Sequence, residues 1–82
     1  MNIHKIKDVK VLKYMIIEVT FYNEIIKEYD IKPLLKRFEA FKKLTDPETF
    51  NKVKVDVGGY GIVWNKNIDL SSEEIWKNGI DK

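Results

Sequence analysis

Hydrophobic and polar positions alternate along the first third of the chain. In residues 7–12, Val9 and Val11 fall on one side while Asp8 and Lys10 fall on the other. In residues 15–22, Met15, Ile17, Val19 and Phe21 share a face; Glu18 and Thr20 mark the opposite one, joined there by Ile16 and Tyr22. A period of two in segments rich in β-branched and aromatic residues predicts strands. Lys13 and Tyr14 are a short enough link for a hairpin, and Asn23 and Glu24 separate the second strand from a third over about residues 25–30.

The spacing then changes. Asp30 is placed to cap a helix with Pro33 tolerated in its first turn, and Tyr29 and Leu34 take the positions of a hydrophobic staple. Leu34, Leu35, Phe38, Phe41 and Leu44 recur at helical spacing, as one helix or as two broken near Arg37 and Phe38. Asp46 and Pro47 make a second start, cap and first helical residue, of a short helix that ends near Asn51 with Phe50 as its anchor. Residues 52–57 alternate again, with Val53, Val55 and Val57 inward and Lys54 and Asp56 outward. Gly58 and Gly59 supply the positive φ of a tight turn, and residues 60–64 return with Ile62 and Trp64 on the valine face. A two-residue loop pairs Val57 with Tyr60, Val55 with Ile62 and Val53 with Trp64; a four-residue loop shifts the pairs and keeps the side. Finally, Ser71 and Glu74 form a capping box and Leu70 and Ile75 its staple, for a helix running to about Asn78 with Gly79 as a left-handed C-terminal cap. The sum is an α+β fold: an antiparallel sheet, made of a three-strand meander plus a C-terminal hairpin, covered by short helices.

Composition narrows the class. At 82 residues the chain, 1–82, has room for a single domain. It is 44% hydrophobic and 34% charged, too apolar for a disordered chain and too charged for a membrane protein. The longest apolar run, Met15 to Ile17, is far below the ~18 residues that cross a bilayer, and the first five residues lack the apolar stretch of a secretory signal. There is no cysteine, which removes disulfides, thiolate nucleophiles and cysteine zinc sites together and suits a reducing cytoplasm. A cytoplasmic location without membrane contact is the expectation.

Several segments together resemble a family of small bacterial proteins known as domain of unknown function 2442. They are residues 16–21 (Ile-Ile-Glu-Val-Thr-Phe), 29–35 (Tyr-Asp-Ile-Lys-Pro-Leu-Leu), 44–50 (Leu-Thr-Asp-Pro-Glu-Thr-Phe), 62–64 (Ile-Val-Trp) and 68–70 (Ile-Asp-Leu). Their order and spacing cover about residues 7–78. The sequence departs from the family at Asn23 and Glu24, where a glycine-containing turn is usual. The resemblance implies an α+β fold with no assigned activity, cofactor or catalytic residue. Some members carry an added helix-turn-helix domain; others are encoded beside a second small protein, in a layout like toxin–antitoxin pairs. It implies an accessory or binding role.

The chemistry-bearing residues agree. His4 is the only histidine, and nothing places an activated hydroxyl and an orienting carboxylate near it, so an exposed tail residue is expected. Asp69, Glu73 and Glu74 form the one notable acidic cluster; a hard cation wants several converging oxygens, whereas carboxylates at a helix start are explained by capping and the macrodipole. The run Gly58-Gly59-Tyr60-Gly61 lacks the following helix and the lysine-serine or lysine-threonine ending of a phosphate loop. Asp30, Asp46 and Asp69 each precede a helix and have turning or capping work to do. No catalytic, metal or cofactor-binding residue is expected, and the chain reads as a non-enzyme with no cofactor.

What remains is surface. Net charge is +2, from 15 basic and 13 acidic side chains, with 12 of the basic and 8 of the acidic ones in residues 1–54. On a helix, Lys32, Lys36 and Lys43 fall together opposite the apolar stripe, flanked by Arg37 and Lys42, as a phosphate-facing surface would require. Glu39 interrupts that band, and solvated helix faces are routinely lysine-rich. Tyr14, Tyr22 and Tyr60 sit at strand ends or beside turns, and with Trp64 they are the candidate interaction residues; ordinary packing in a small core is the commoner role of such aromatics. Trp76 reads as core or cover. The lysine-rich first strand and the hairpin 52–64 are candidate sheet edges, open to a partner strand. Two readings follow: a protein-interaction module that pairs with itself or a small neighbouring protein, and a nucleic-acid-binding or regulatory domain acting through residues 32–43. A small-ligand pocket is a third.

Overall fold

The computed structural model describes residues 4–82, so the stretch read for a secretory signal lies partly outside it. Alternation produces the meander. Strands β1 (Ile6–Lys13), β2 (Ile16–Phe21) and β3 (Ile26–Asp30) pair antiparallel, aligning Val9 with Val19 and Lys27, and Val11 with Ile17 and Tyr29. Directly opposed residues share a face, so the apolar sides of the three strands merge, and Ile17, Val19 and Phe21 are fully buried. Met15 is buried too, but at φ 59 it belongs to the β1–β2 turn, and β2 starts one residue later than the alternation suggests. In the β2–β3 turn, Glu24 takes φ 74, a conformation that favours glycine. The side chain of Asn23 secures it by accepting from the Ile25 N–H at 3.1 Å, an Asx turn in place of the glycine-containing one.

The helical stretch takes the broken form. Helix α1 (Lys32–Arg37) ends where Phe38 is extended (φ −131, ψ 119), and a 3₁₀ turn (Glu39–Thr45) follows, then α2 (Pro47–Phe50). Of the two aspartates expected as caps, only Asp46 holds the N-cap position, and its side chain makes no capping bond. Ile31 holds the N-cap position of α1, and Asp30 instead accepts from the Lys32 N–H at 2.9 Å, turning the chain one residue early. Asp46 does precede Pro47, but its carboxylate accepts from the Thr49 hydroxyl at 2.9 Å. Leu34, Phe41, Leu44 and Phe50 point into the core.

The predicted hairpin becomes a second sheet. Strands β4 (Lys54–Val55), β5 (Gly61–Asn65) and β6 (Ile68–Ser71) lie in that order. Val55 opposes Ile62, the register of the two-residue loop, and pairing stops after one further bond, from the Asp56 N–H to the Gly61 carbonyl at 2.9 Å. The Asp56 carboxylate accepts from Val57 N–H and its carbonyl accepts from Gly59 N–H, winding Val57–Gly59 into a 3₁₀ turn with Gly58 and Gly59 at φ 82 and 79. Val57 is thereby turned out, 91% exposed, rather than inward. Strand β6 was hidden in the helix lead-in: Ile68 and Leu70 are buried while Asp69 and Ser71 are exposed.

Helix α3 (Ser72–Asn78) starts on Ser71, whose hydroxyl accepts from the Glu74 N–H at 3.1 Å. Only this half of the capping box forms, because the Glu74 carboxylate is engaged elsewhere, by the Tyr29 hydroxyl and the Asn78 amide, both at 2.8 Å. Gly79 is extended (φ −75, ψ 162), not left-handed. Glycine is needed there for closeness, since a Cβ would stand 2.5 Å from the Ile75 carbonyl and 3.2 Å from the Lys27 side chain. The chain then runs straight into β7 (Ile80–Asp81), a fourth strand on the β3 edge that two residues were too few to announce. One antiparallel sheet has become two, β1-β2-β3-β7 and β4-β5-β6; β1 runs beside β4 and β5, and the buried residues of both sheets form one cluster.

Candidate interaction surfaces

Three of the four candidate aromatics are exposed: Tyr14 by 64%, Tyr22 by 62% and Tyr60 by 54%. Trp64 is not. It is buried between Phe41 and Phe50, and its indole N–H donates to the Phe50 carbonyl at 3.1 Å, so it is a core residue and no interaction candidate. Successive meander turns lie at opposite ends of a sheet, which parts Tyr14 from Tyr22. Tyr60, distant in sequence, joins Tyr22 instead. The Lys5 carbonyl accepts from Tyr22 N–H at 3.0 Å, and the Lys5 ammonium lies 5.6 Å from the Tyr60 ring centre. Gly59 presses on the same strand start, leaving no room for a Cβ (2.8 Å from the Ile6 carbonyl). Lys5, Tyr22 and Tyr60 therefore gather at one end of the molecule, and the turned-out Val57 belongs to the same 3₁₀ turn as Gly59. A shallow pocket of about 360 Å³, lined by His4, Lys5, Phe21, Tyr22 and Asn23, borders them. The turned-out Val57 was beyond sequence reasoning, because alternation assigned it inward.

His4 is not an exposed tail residue. Its ring stacks on Trp76 (3.8 Å between centres, 9° between planes), and its backbone N–H and Nδ1 reach the Glu73 carboxylate at 3.0 and 3.1 Å. The backbone N–H bond is the main reason the Glu73 carboxyl is held below its ordinary range. Lys27, though buried, lies 4.8 Å from the Trp76 ring centre and 2.6 Å from the Asp81 carboxylate. Trp76 thus ties α3 to His4, to Phe21 on β2 and to Lys27 on β3. With Glu73 bound to His4 and Glu74 to Tyr29 and Asn78, the acidic cluster is dispersed; among the described residues no three His, Cys, Asp or Glu side chains converge to hold a metal. Burial, then the Glu74 carboxylate, pushes the Tyr29 phenol well above its ordinary range. On the opposite face of the first sheet, Glu18 accepts from Lys82 and lies 3.3 Å from Lys10; the Lys82 bond holds its carboxyl below the usual range against the opposing effect of burial.

The five basic candidates do not share one face. The extended residue Phe38 breaks the helical register that would align Lys36 with Lys43. On α1, Lys32 pairs with Asp30 at 3.1 Å, and Arg37 lies over the Phe38 ring and lines a groove with Asp69, Leu70 and Glu74. Beyond the break, Lys42 and Lys43 line a different groove of about 520 Å³, together with Glu39, Ala40, Asn65, Asn67 and Ile68. Lys42 pairs there with Glu39 at 3.3 Å. Sequence reasoning missed the far wall, the β5–β6 turn; its only signal was the turn-favouring composition of Asn65-Lys66-Asn67.

No helix among the described residues is long and apolar enough to cross a membrane. No curated protein matches the chain. Its fold is similar to the crystal structure of a putative DNA binding protein from Nitrosomonas europaea ATCC 19718, with a TM-score of 0.76 at 20% identity. The likeness covers 93% of this chain and 50% of that one, so the chain spans half the length of the protein it resembles. The two sheets, the helical break and the final helix are thus set in an α+β fold seen elsewhere, and the match of residues 6–81 shows that the chain belongs to the family described as Protein of unknown function (DUF2442).

Proposed function

We propose that this domain is a non-enzymatic protein-interaction module that binds another protein chain, a second copy or a different small protein, through the Lys5, Tyr22, Val57 and Tyr60 end. One observation carries the reading: Tyr22 and Tyr60 are each more than half exposed, yet both meet Lys5, one at its carbonyl and one at its ammonium, and the exposed Val57 belongs to the turn just before Tyr60. Grouped, they supply large amphipathic contact area, and tyrosine is among the residues that dominate interface energetics. The carboxylates of Glu18, Asp30, Asp46, Glu73 and Glu74 are occupied in structural bonds, which favours binding over catalysis. A cysteine-free chain supports a cytoplasmic setting for the same role.

Sedimentation and pull-down from lysate of the source cell, comparing the native protein with Tyr22→Ser/Tyr60→Ser, test this. The native chain is expected to self-associate or to retain a defined partner, and the double variant to bind roughly 30-fold more weakly, the effect of losing about 2 kcal/mol at a hot spot. A strictly monomeric native protein that captures nothing ends the reading.

A second reading, nucleic-acid binding, is favoured by the Lys42 and Lys43 groove and is consistent with the description of the Nitrosomonas europaea protein. Gel-shift titration at two salt concentrations tests it, since phosphate binding is strongest at low salt.

A further inference from the structure

We infer that the groove between the Glu39–Thr45 turn and the β5–β6 turn binds the phosphates of a nucleic-acid backbone, with Lys42, Lys43 and Lys66 as its charges and Asn65 and Asn67 as its amide donors. This rests on the second reading above and relocates its site: residues 32–37 drop out, and a turn some twenty residues downstream comes in.

The geometry gives each residue a distinct part. Lys42 and Lys43 line the groove from the Glu39–Thr45 turn, and Asn65, Asn67 and Ile68 line it from the β5–β6 side; Lys66 is not part of the lining and lies on the turn that links the two asparagines. Among the described residues Lys43 and Lys66 enter no ion pair, so both charges are available to an anion. The Asn65 oxygen accepts from the Asn67 N–H at 2.8 Å, which fixes the turn and leaves the amide nitrogen to donate. Glu39 is the one acidic residue in the groove. Its ion pair with Lys42 makes that lysine the weakest of the three contacts.

Lysine ammoniums beside asparagine amides are the groups that commonly contact the oxygens of a phosphodiester backbone, lysine acting as a point charge. No arginine lines this groove; Arg37 lies in the other one. No aromatic lines it either, so there is no platform on which bases can stack, and the contact reads charge rather than sequence. The site should therefore bind unrelated sequences alike.

Fluorescence anisotropy with labelled 20-nucleotide DNA, single-stranded and duplex and of two unrelated sequences, tests the inference across a salt series. On duplex, Lys43→Ala/Lys66→Ala is expected to weaken binding at least tenfold at low salt and to lower the slope of log K against log salt by about 2, one unit per lost phosphate contact. Lys32→Ala/Lys36→Ala should leave both unchanged, and Glu39→Gln should tighten binding about two- to fivefold by releasing Lys42. Equal loss in the two double variants would overturn the groove while leaving nucleic-acid binding standing. No native binding at low salt would overturn both. Displacement by poly-glutamate as readily as by unlabelled DNA would mark an acidic protein partner and overturn the phosphate assignment.

Discussion

The two sheets hold together in different ways. In the first, β1, β2 and β3 are eight, six and five residues long, and their shared face is a run of buried aliphatic and aromatic side chains. In the second, β4 has two residues, and position is set by single close contacts: Gly61 against the Leu70 carbonyl, the Trp64 indole on the Phe50 carbonyl, Gly59 against the start of β1. Burial spread over many residues tolerates small changes. A contact made by one atom at one distance does not. The difference matters for function because both proposed surfaces are completed by the second sheet, through Val57 and Tyr60 at one end and Asn65 to Asn67 at the other.

The largest effects should come from emptying the shared core. Phe21→Ala is expected to destabilise by about 3–5 kcal/mol, most of the stability of a domain this size, and Ile17→Val, at an equally buried site, by only about 0.5–1.5 kcal/mol. Urea titration of the two variants checks the ratio. If the milder change proved as damaging as the larger, the first sheet would depend on exact shape and the contrast would fail.

The second sheet should answer to a single methyl group. Gly61→Ala adds a Cβ that would stand 2.5 Å from the Leu70 carbonyl oxygen, where backbone meets backbone and neither yields cheaply. A loss of about 1–3 kcal/mol is expected, more than Ile17→Val although nothing is removed. Melting curves of the two variants side by side decide it; Gly61→Ala at or below Ile17→Val would show that β5 and β6 can part at little cost.

The same division governs what was legible. Met15, Ile17, Val19 and Phe21 announced a strand because period two has no other reading over that length, and Ser71 announced a helix because a cap is a local device. Val57 was misassigned because alternation cannot register that the Asp56 carboxylate would bond the next N–H and end the strand. Asp69 to Ser71 served two elements at once, and the capping signal masked β6. The candidate sites were legible only as residue types. Tyr22 and Tyr60 stood as surface candidates beside a core-packing alternative; both are exposed, but their meeting around Lys5 depends on a sheet-to-sheet contact. The five cations align only on an unbroken helix, which Phe38 interrupts, and the neighbours of Lys42 and Lys43, Asn65 and Asn67, are reached only through the tertiary fold.

A smaller effect tests how α3 is tied to the first sheet. Tyr29→Phe keeps the buried ring and removes only the hydroxyl that donates to Glu74 at 2.8 Å, so a loss of about 0.5–1.5 kcal/mol is expected at neutral pH. The folded phenol titrates above its ordinary value of 10.0, so the bond contributes fully below that pH and is lost as pH rises through the folded value. Chemical denaturation at pH 7 and in strong alkali should show the gap narrowing. A gap unchanged in alkali would mean that the hydroxyl acts through packing alone.

The smallest effect is expected on the open face of the first sheet, at Glu18. Its carboxyl, held down chiefly by Lys82 and also by Lys10, titrates below the ordinary value of 4.5 in the folded state. A depressed carboxyl stabilises the fold above its unfolded pKa, and that contribution is lost as pH falls through the folded one. Glu18→Gln keeps the size and one acceptor while removing the charge. The variant should melt at most a few degrees lower near pH 7, because Lys10 and Lys82 are each about half exposed and water screens their charges, and it should converge on the native protein as acid titrates the folded carboxyl. A large gap, or one that persists in acid, would mean that a polar cluster rather than distributed burial holds the meander and β7 together. The first sheet would then resemble the second, fixed by particular contacts, and the distinction between them would be one of strand length alone.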